Sequence, residues 1–173
     1  MEPYEIGSLI ISAVGAIATF SAVLVALWQT KYVNRKRLKC CFTENNTLCS
    51  SNMSQYKSYV GMDITNIGNK KVIVKSWGIK TPNQFLLIIT DIANLPNADI
   101  FDKMISVKTP YDLEVERNIT LFYAKDLFHK QIKNLIDSGE MKGDKSILFI
   151  VKDSTGKEYK VKSKKPANYY LPK

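Results

Sequence analysis

The sequence predicts a mainly-β domain behind an N-terminal transmembrane helix: an antiparallel β-sandwich or a barrel, with one crossover helix. Three observations lead to this prediction. Residues 6–28 carry no charge, apolar and polar residues alternate in several short runs after residue 39, and one segment near residue 130 has the period of an amphipathic helix. The 134 residues after Lys39 are enough to bury a core of their own.

The uncharged N-terminal segment predicts a single membrane span. Its 23 residues, from Ile6 to Trp28, would extend about 34 Å as a helix, which covers a hydrocarbon core of about 30 Å. A cleaved signal peptide would begin with basic residues and have a shorter apolar part, whereas this chain begins with MEPYE. A buried helix of a soluble protein would show a polar face at this length. We therefore expect a retained transmembrane helix.

The charges that flank the span predict its orientation. No Lys or Arg precedes it, and five follow by residue 39, so the positive-inside rule places the N-terminus outside the cell membrane and the C-terminal domain in the cytoplasm. The residues expected to fix this topology and to contact anionic lipid are Trp28, Lys31, Arg35, Lys36, Arg37 and Lys39. The expected segments are a short extracytoplasmic N-terminus (1–5), the transmembrane helix (6–28), a basic juxtamembrane segment (29–39), the β-sandwich domain (40–165) and a C-terminal tail (166–173).

Small side chains recur along the span at alternating steps of four and three residues. They are Ser8, Ser12, Gly15, Thr19, Ala22 and Ala26. This spacing matches the 3.5-residue period of a left-handed helix pair, and small residues let helix backbones approach closely in lipid. The pattern indicates a seam for a second copy of the chain or for a partner's span. The alternative is the ordinary composition of a membrane helix.

Alternating apolar residues predict the strands. In YVGMDITNIGNKKVIV (59–74), Val60, Met62 and Ile64 alternate with small or polar residues, and NIGN supplies turn residues, so this stretch predicts a β-hairpin. Further strands are expected at 39–42, 74–80, 85–89, 111–115, 119–123, 146–153 and 157–162. The last two are joined by a short turn in which Gly156 can adopt a positive φ.

The segment KDLFHKQIKNLIDSG (125–139) predicts the crossover helix. Its apolar residues share one helical face: Phe128, Ile132, Leu135 and Ile136. Asp126 is expected as the N-cap, and Gly139 stands where a C-terminal cap belongs.

The motif content predicts no enzyme. The sequence has no phosphate-binding glycine loop, no nucleophile elbow, no zinc-protease motif and no calcium loop. The cysteines Cys40, Cys41 and Cys49 lack C-x-x-C spacing and agree with a reducing compartment. The single histidine, His129, is expected to be a solvated helix residue rather than a base or a ligand. We therefore expect no catalytic, cofactor-binding or metal site.

The C-terminal stretch KEYKVKSKKPANYYLPK (157–173) interleaves basic and aromatic residues. Its lysines of interest are Lys157, Lys160, Lys162, Lys164 and Lys165. The favoured interpretation is an edge strand protected by lysines, followed by a loose tail. The alternatives are attraction to anionic lipid and binding of single-stranded nucleic acid by charge and stacking. From Cys40 onward the chain has 20 basic and 14 acidic residues, and arginine is scarce. Nucleic-acid binding is therefore the least favoured of the three interpretations.

The single span, the basic segment and the motifs ITNIGNKKVIV (64–74) and ILFIVKDSTGKEYKVK (147–162) resemble those of small bacterial and phage membrane proteins with an immunoglobulin-like cytoplasmic domain. The resemblance implies an immunoglobulin-like β-sandwich. In a phage or mobile-element setting it also implies an exclusion or immunity factor at the inner membrane surface.

The leading interpretation is a membrane-anchored cytoplasmic protein-interaction module with an unknown protein partner. One alternative is a membrane-tethered binder of nucleic acid or nucleotide that uses the lysine-rich C-terminal strand and tail. Another is a structural subunit of a larger membrane complex, joined through the small-residue seam.

Overall fold

The computed structural model describes residues 3–33, 35–49, 56–81, 85–87 and 98–172. The chain divides into two compact units, residues 1–35 and residues 36–173. The first unit contains one apolar helix, and the second is mainly β with two antiparallel sheets. The predicted combination of an N-terminal apolar helix and a mainly-β domain is confirmed.

The first unit is the helix α1 (Pro3–Val33), whose large apolar side chains from Ile10 onward are exposed. The 24 residues Ile10–Val33 are long and apolar enough to cross a membrane. Thr19 donates its Oγ1 hydrogen bond to the carbonyl oxygen of Gly15 at 2.8 Å, so this hydroxyl is satisfied within its own helix. A helix that satisfies its polar groups internally is compatible with lipid.

Within the described ranges, the second unit contains the following strands and helices in chain order. They are β1 (Leu38–Cys49), β2 (Tyr56–Asn66), β3 (Val72–Lys80), β4 (Phe85–Leu87), α2 (Ile100–Ile105), β5 (Tyr111–Leu113), β6 (Asn118–Ala124), α3 (Lys125–Asp137), β7 (Ser146–Asp153) and β8 (Glu158–Pro166). A short 3₁₀ turn, Ala167–Tyr170, follows β8.

The strands form two sheets. The first has the order β1-β2-β6 and the second β4-β3-β7-β8, with β5 beside the start of β3, and every pairing is antiparallel. α3 joins β6 of the first sheet to β7 of the second, so it crosses between the sheets as expected for the crossover helix.

Aromatic side chains from both sheets and from α3 fill the core. Phe42 of β1 stacks on Phe149 of β7 with ring centroids 4.3 Å apart. Phe128 of α3 lies 5.7 Å from Phe42, and Trp77 of β3 lies 6.4 Å from Phe149. All four side chains are buried. Burial of this apolar area is the main force that holds the two sheets together.

The predicted hairpin at 59–74 is wrong, because its two halves belong to different sheets: β2 pairs with β1 and β6, and β3 with β4, β5 and β7. Asn66, at the end of β2, stabilises the turn by which the chain passes from the first sheet to the second. Its amide donates to the carbonyl oxygens of Lys70 (2.8 Å) and Leu113 (3.0 Å), and its Oδ1 accepts from the N–H of Gly68 (3.0 Å). Alternation identifies each strand, but it does not specify the neighbour in the sheet.

The turn between β7 and β8 agrees with the prediction. Gly156 has a φ of +83°, a conformation that suits glycine. The buried carboxylate of Asp153 accepts hydrogen bonds from the backbone N–H groups of Thr155 (2.9 Å) and Lys157 (3.0 Å). This local network fixes the register of the β7-β8 hairpin.

The ends of α3 agree with the prediction in part. Gly139 follows the helix with a φ of +74°, as expected for its C-terminal cap. Asp126 is not the N-cap, because Ala124 takes that position without a side-chain hydrogen bond and Asp126 lies in the first turn. A carboxylate in the first turn still interacts favourably with the helix dipole.

Several element limits differ from the expectation. β1 runs to Cys49 rather than stopping at residue 42, and β5 ends at Leu113 rather than at residue 115. Of the strand expected at 85–89, residues 88–89 lie outside the described part of the chain. The expected loose tail is also wrong, because Ala167 and Tyr170 are buried in the core. Their apolar contacts order this segment against the domain.

Candidate interaction site

A β-bulge in β1 forms one side of a groove on the second unit. The ladder between β1 and β2 shifts register between Thr43 and Asn46, so that Glu44 and Asn45 stand opposite Val60 alone. A bulge changes the direction of the side chains it carries and is frequent beside functional sites.

The groove has a volume of about 780 Å³ and three walls. The first wall is the bulge with Val60, the second carries Lys125 and His129 at the start of α3, and the third consists of residues 168–172. A volume of this size can accept a small molecule or several side chains of a peptide.

Glu44 and Tyr170 connect two of these walls. The hydroxyl of Tyr170 donates a hydrogen bond to Oε1 of Glu44 at 2.5 Å. The Tyr170 ring is buried and packs edge-on against Phe128, with centroids 5.6 Å apart. Burial, followed by the bond to Glu44, raises the pKa of Tyr170 well above its usual value. The pair therefore anchors the C-terminal segment to the bulge.

Lys125 and His129 lie one helical turn apart on α3 and supply the basic groups of the groove. His129 is partly buried and lines the groove, and its expected role as a solvated residue rather than a base or a ligand stays a prediction. Burial, and after it the positive charge of Lys125, lowers the pKa of His129, while the negative charge of Asp126 acts in the opposite direction. The lowered pKa favours the neutral imidazole, which can both donate and accept a hydrogen bond.

An exposed aromatic ring stands at the mouth of the groove. Tyr169 is 58% exposed and meets Tyr170 edge-on, with ring centroids 5.3 Å apart. Nζ of Lys165 lies 5.1 Å from the centre of the Tyr169 ring, which is within the range of a cation–π contact. Exposed tyrosines are enriched at protein interfaces because one rigid ring offers both apolar area and a polar tip.

The groove thus brings together an ammonium, an imidazole, an aromatic ring and a carboxylate that already has a donor. This set suits recognition of a peptide that carries a carboxylate near an apolar side chain. Within the described ranges, His, Cys, Asp and Glu form no cluster of three that could hold a metal ion.

The lysines of β8 and of the turn before it differ in exposure and in their contacts. Lys160, Lys162 and Lys164 alternate with less exposed residues along β8 and are themselves exposed. Lys157 lies in the preceding turn, 4.9 Å from the centre of the Tyr159 ring, and its Nζ donates to the carbonyl oxygen of Lys36 at 3.3 Å. Of the five lysines singled out in the sequence, Lys160 and Lys162 therefore share one exposed face, whereas Lys164 lies where the pairing with β7 changes register.

The cysteines occupy different environments. Cys40 is half-buried against the core, whereas Cys41 and Cys49 are exposed, and all three are free thiols. Opposite orientation of neighbouring strand residues explains the difference between the first two. Burial, with a smaller contribution from Cys41, raises the pKa of the Cys40 thiol to about 12.

The residues proposed for the membrane are all exposed or half-exposed. Those of the small-residue seam lie on α1, as do Trp28 and Lys31, while Arg35, Lys36, Arg37 and Lys39 follow the helix. The seam and the lipid contacts remain predictions.

One buried ion-pair cluster was not anticipated from the sequence. The carboxylate of Asp102 accepts hydrogen bonds from Nζ of Lys57 (2.6 Å) and from the hydroxyl of Tyr59 (2.9 Å). Asp102 and Asp99 also form the capping box that starts α2. Burial, together with Asp102, raises the pKa of Tyr59. The D-x-x-D spacing was the available signal, because a capping box places two polar side chains three residues apart.

No protein-family model and no curated protein matches this chain.

Proposed function

We propose that the chain is a membrane-anchored cytoplasmic protein-interaction module. α1 is its single transmembrane helix, with the N-terminus outside, and the second unit works at the inner surface of the membrane. Two observations support this assignment. α1 is long and apolar enough to span a bilayer, and five basic residues lie between positions 31 and 39 with none before the helix.

An immunoglobulin-like β-sandwich is the fold we propose for the second unit. β1, β2 and β6 would correspond to strands A, B and E, and β3, β7 and β8 to strands C, F and G. Trp77 supports the comparison, since it is fully buried on the third strand beside Phe149 of β7. In antibody domains a strand-C tryptophan fills the same position between the sheets. α3 between β6 and β7 is an addition to that pattern.

The observation that carries the interaction function is the groove beside the β1 bulge. Its walls are held by the Tyr170–Glu44 hydrogen bond, so the groove exists without a partner. A preformed groove avoids the cost of ordering on binding. The partner we propose is a protein segment that places a carboxylate near Lys125 and an apolar or aromatic side chain against Tyr169.

Site-specific crosslinking in native membranes tests this proposal. A photoreactive phenylalanine at Tyr169 should give one discrete protein adduct, and the same probe at the exposed Tyr111 of β5 should not. Lys125→Glu should abolish the adduct, whereas Lys130→Glu, on an exposed part of α3, should leave it intact. Equal labelling from positions 169 and 111, or an adduct insensitive to Lys125→Glu, would reject the groove as the binding site.

The biological role we propose is exclusion or immunity against a phage, plasmid or toxin. Its support is the resemblance described from the motifs together with the proposed membrane location. Expression of the protein should reduce phage plating or toxin sensitivity, and Lys125→Glu should remove the effect. No change in either assay would leave the role without support.

The second candidate is binding of nucleic acid or nucleotide through β8. The observation in its favour is the series of exposed lysines along β8, Lys160, Lys162 and Lys164. It requires oligonucleotide binding by the full chain in detergent, with affinity that falls steeply as salt rises. Reversal of these three lysines to Glu should abolish that binding. Absence of binding at low salt would reject this candidate.

A third candidate is a structural subunit of a larger membrane complex. The exposed small residues along α1 favour it, because they would allow close contact with another span.

A further inference from the structure

We propose that one end of the second unit docks on the anionic lipid surface in which α1 is anchored. The docking surface consists of four loops, residues 36–37, 67–71, 114–117 and 154–157, which we call the basal loops. This inference rests on the proposed membrane anchoring, and it adds a lipid-binding surface within the β domain itself.

Backbone hydrogen bonds connect the first three basal loops, and the side chain of Lys157 connects the fourth to the carbonyl oxygen of Lys36. The N–H of Ile67 donates to the carbonyl oxygen of Arg37, and the N–H of Asn66 to that of Arg117, both at 3.0 Å. The N–H of Ser154 donates to the carbonyl oxygen of the β3 residue Ile73 at 2.9 Å. All four loops therefore lie at the end of the domain where β1 begins.

The side chains of this surface have the chemistry of a membrane interface. Ile67 is 48% exposed and Val115 is 40% exposed, and they lie in the two loops that meet at Asn66. The loops contain six basic residues, Lys36, Arg37, Lys70, Lys71, Arg117 and Lys157, and two acidic ones, Glu114 and Glu116. Apolar side chains surrounded by cations bind anionic bilayers by insertion and by charge together.

Not all of this charge is equally available. Lys71 is paired with Asp112 and with Glu114, at 3.6 Å from the latter. The remaining five basic residues face one acidic residue of the loops, Glu116. The surface therefore stays strongly positive after its internal ion pairs are counted, and it suits the phosphates of anionic lipid headgroups.

Chain connectivity favours lipid over a soluble acidic partner. Only residues 34–37 separate the end of α1 from Leu38, the first residue of β1. Five residue steps span at most about 18 Å, so an anchored α1 keeps this end of the domain within reach of headgroups. A tether this short makes docking an intramolecular event at high effective concentration.

Nitroxide labels on the full chain in lipid vesicles test the proposal. Each label would be attached to Ile67→Cys or Val115→Cys in a chain whose three native cysteines are replaced, with Tyr169→Cys as the matched distal control. Vesicles of neutral phosphatidylcholine would be compared with vesicles containing one third phosphatidylglycerol. Accessibility of each label to oxygen, which partitions into lipid, and to an aqueous nickel chelate reports its position.

The expected result is at least a threefold rise in the oxygen-to-nickel accessibility ratio at positions 67 and 115 in anionic vesicles, with no change at 169. Arg37→Glu with Arg117→Glu should return that ratio to its value in neutral vesicles. One contrary outcome is a chain that stays in the vesicles after an alkaline wash while its labels at 67 and 115 are exposed to water. That result would overturn the docking proposal but not the membrane anchor. Loss of the chain in that wash would overturn the membrane anchor as well.

Discussion

Tyr170 donates its hydroxyl hydrogen bond to Glu44 across 126 positions of the chain, at 2.5 Å. The bond joins the segment after the last strand to the bulge of the first strand, and it closes the groove between them. The groove therefore depends on one side-chain pair as well as on the sheets. The free energy of unfolding should therefore depend on pH through ionisation of the Tyr170 hydroxyl.

The pH dependence of unfolding tests this relationship. The pKa of Tyr170 is raised in the folded state, so the neutral phenol stabilises the fold below its unfolded pKa of about 10, and this stability is lost as the pH rises further. Tyr170→Phe should lower the stability at pH 7, and it should flatten the decline above pH 10. Thermal unfolding of the full chain in detergent, followed by near-UV circular dichroism, measures both effects. Equal slopes above pH 10 for both proteins would contradict the assignment.

Asp102 is a buried carboxylate on which the stability of the domain should depend strongly. Asp102→Ala leaves the buried Tyr59 hydroxyl and the partly buried Lys57 ammonium without this acceptor, so we expect a loss of about 2 kcal/mol in the free energy of unfolding. Asp112→Ala is the matched control, because it removes a carboxylate from an exposed ion pair with Lys71 and should change little. Denaturant titrations of the three proteins provide the comparison. Similar losses in the two variants would argue against a special role of the buried cluster.

Thiol labelling tests the proposed topology. In intact cells an impermeant maleimide should leave Cys40, Cys41 and Cys49 unmodified, because the proposed orientation places them inside. After lysis Cys41 and Cys49 should react quickly, and Cys40 far more slowly, since its pKa is raised to about 12 and its side chain is half-buried. Glu5→Cys in a chain without other cysteines should be labelled before lysis. Labelling of Cys41 before lysis would reverse the orientation.

The seam on α1 predicts a specific loss of self-association. Gly15→Leu with Ala22→Leu would separate the helix backbones and should abolish the signal of a membrane two-hybrid assay. Ala16→Leu with Ala18→Leu adds nearly the same bulk, one carbon less, at positions outside the seam and should preserve the signal. If the two double variants behave alike, the pattern reflects composition only.

The groove could not have been predicted, because it is assembled from residues 44–45, 60, 125, 129 and 168–172. Each stretch is unremarkable alone: the bulge is a register shift against β2, and Tyr170 belongs to a segment expected to be a loose tail. α2 was missed for a different reason. Six residues are too few to show a helical period, so only the spacing of Asp99 and Asp102 could have indicated its start.

By itself the sequence determined the features that depend on local periodicity and composition. These are the apolar N-terminal helix, α3 with its buried face, and the β7-β8 hairpin with Gly156 in its turn. The tertiary structure alone decided which strands pair, that Asn66 sends the chain from one sheet to the other, and that Glu44 meets Tyr170. The reason is physical: a period reports which side of an element is buried, whereas pairing depends on contacts between residues far apart in the chain.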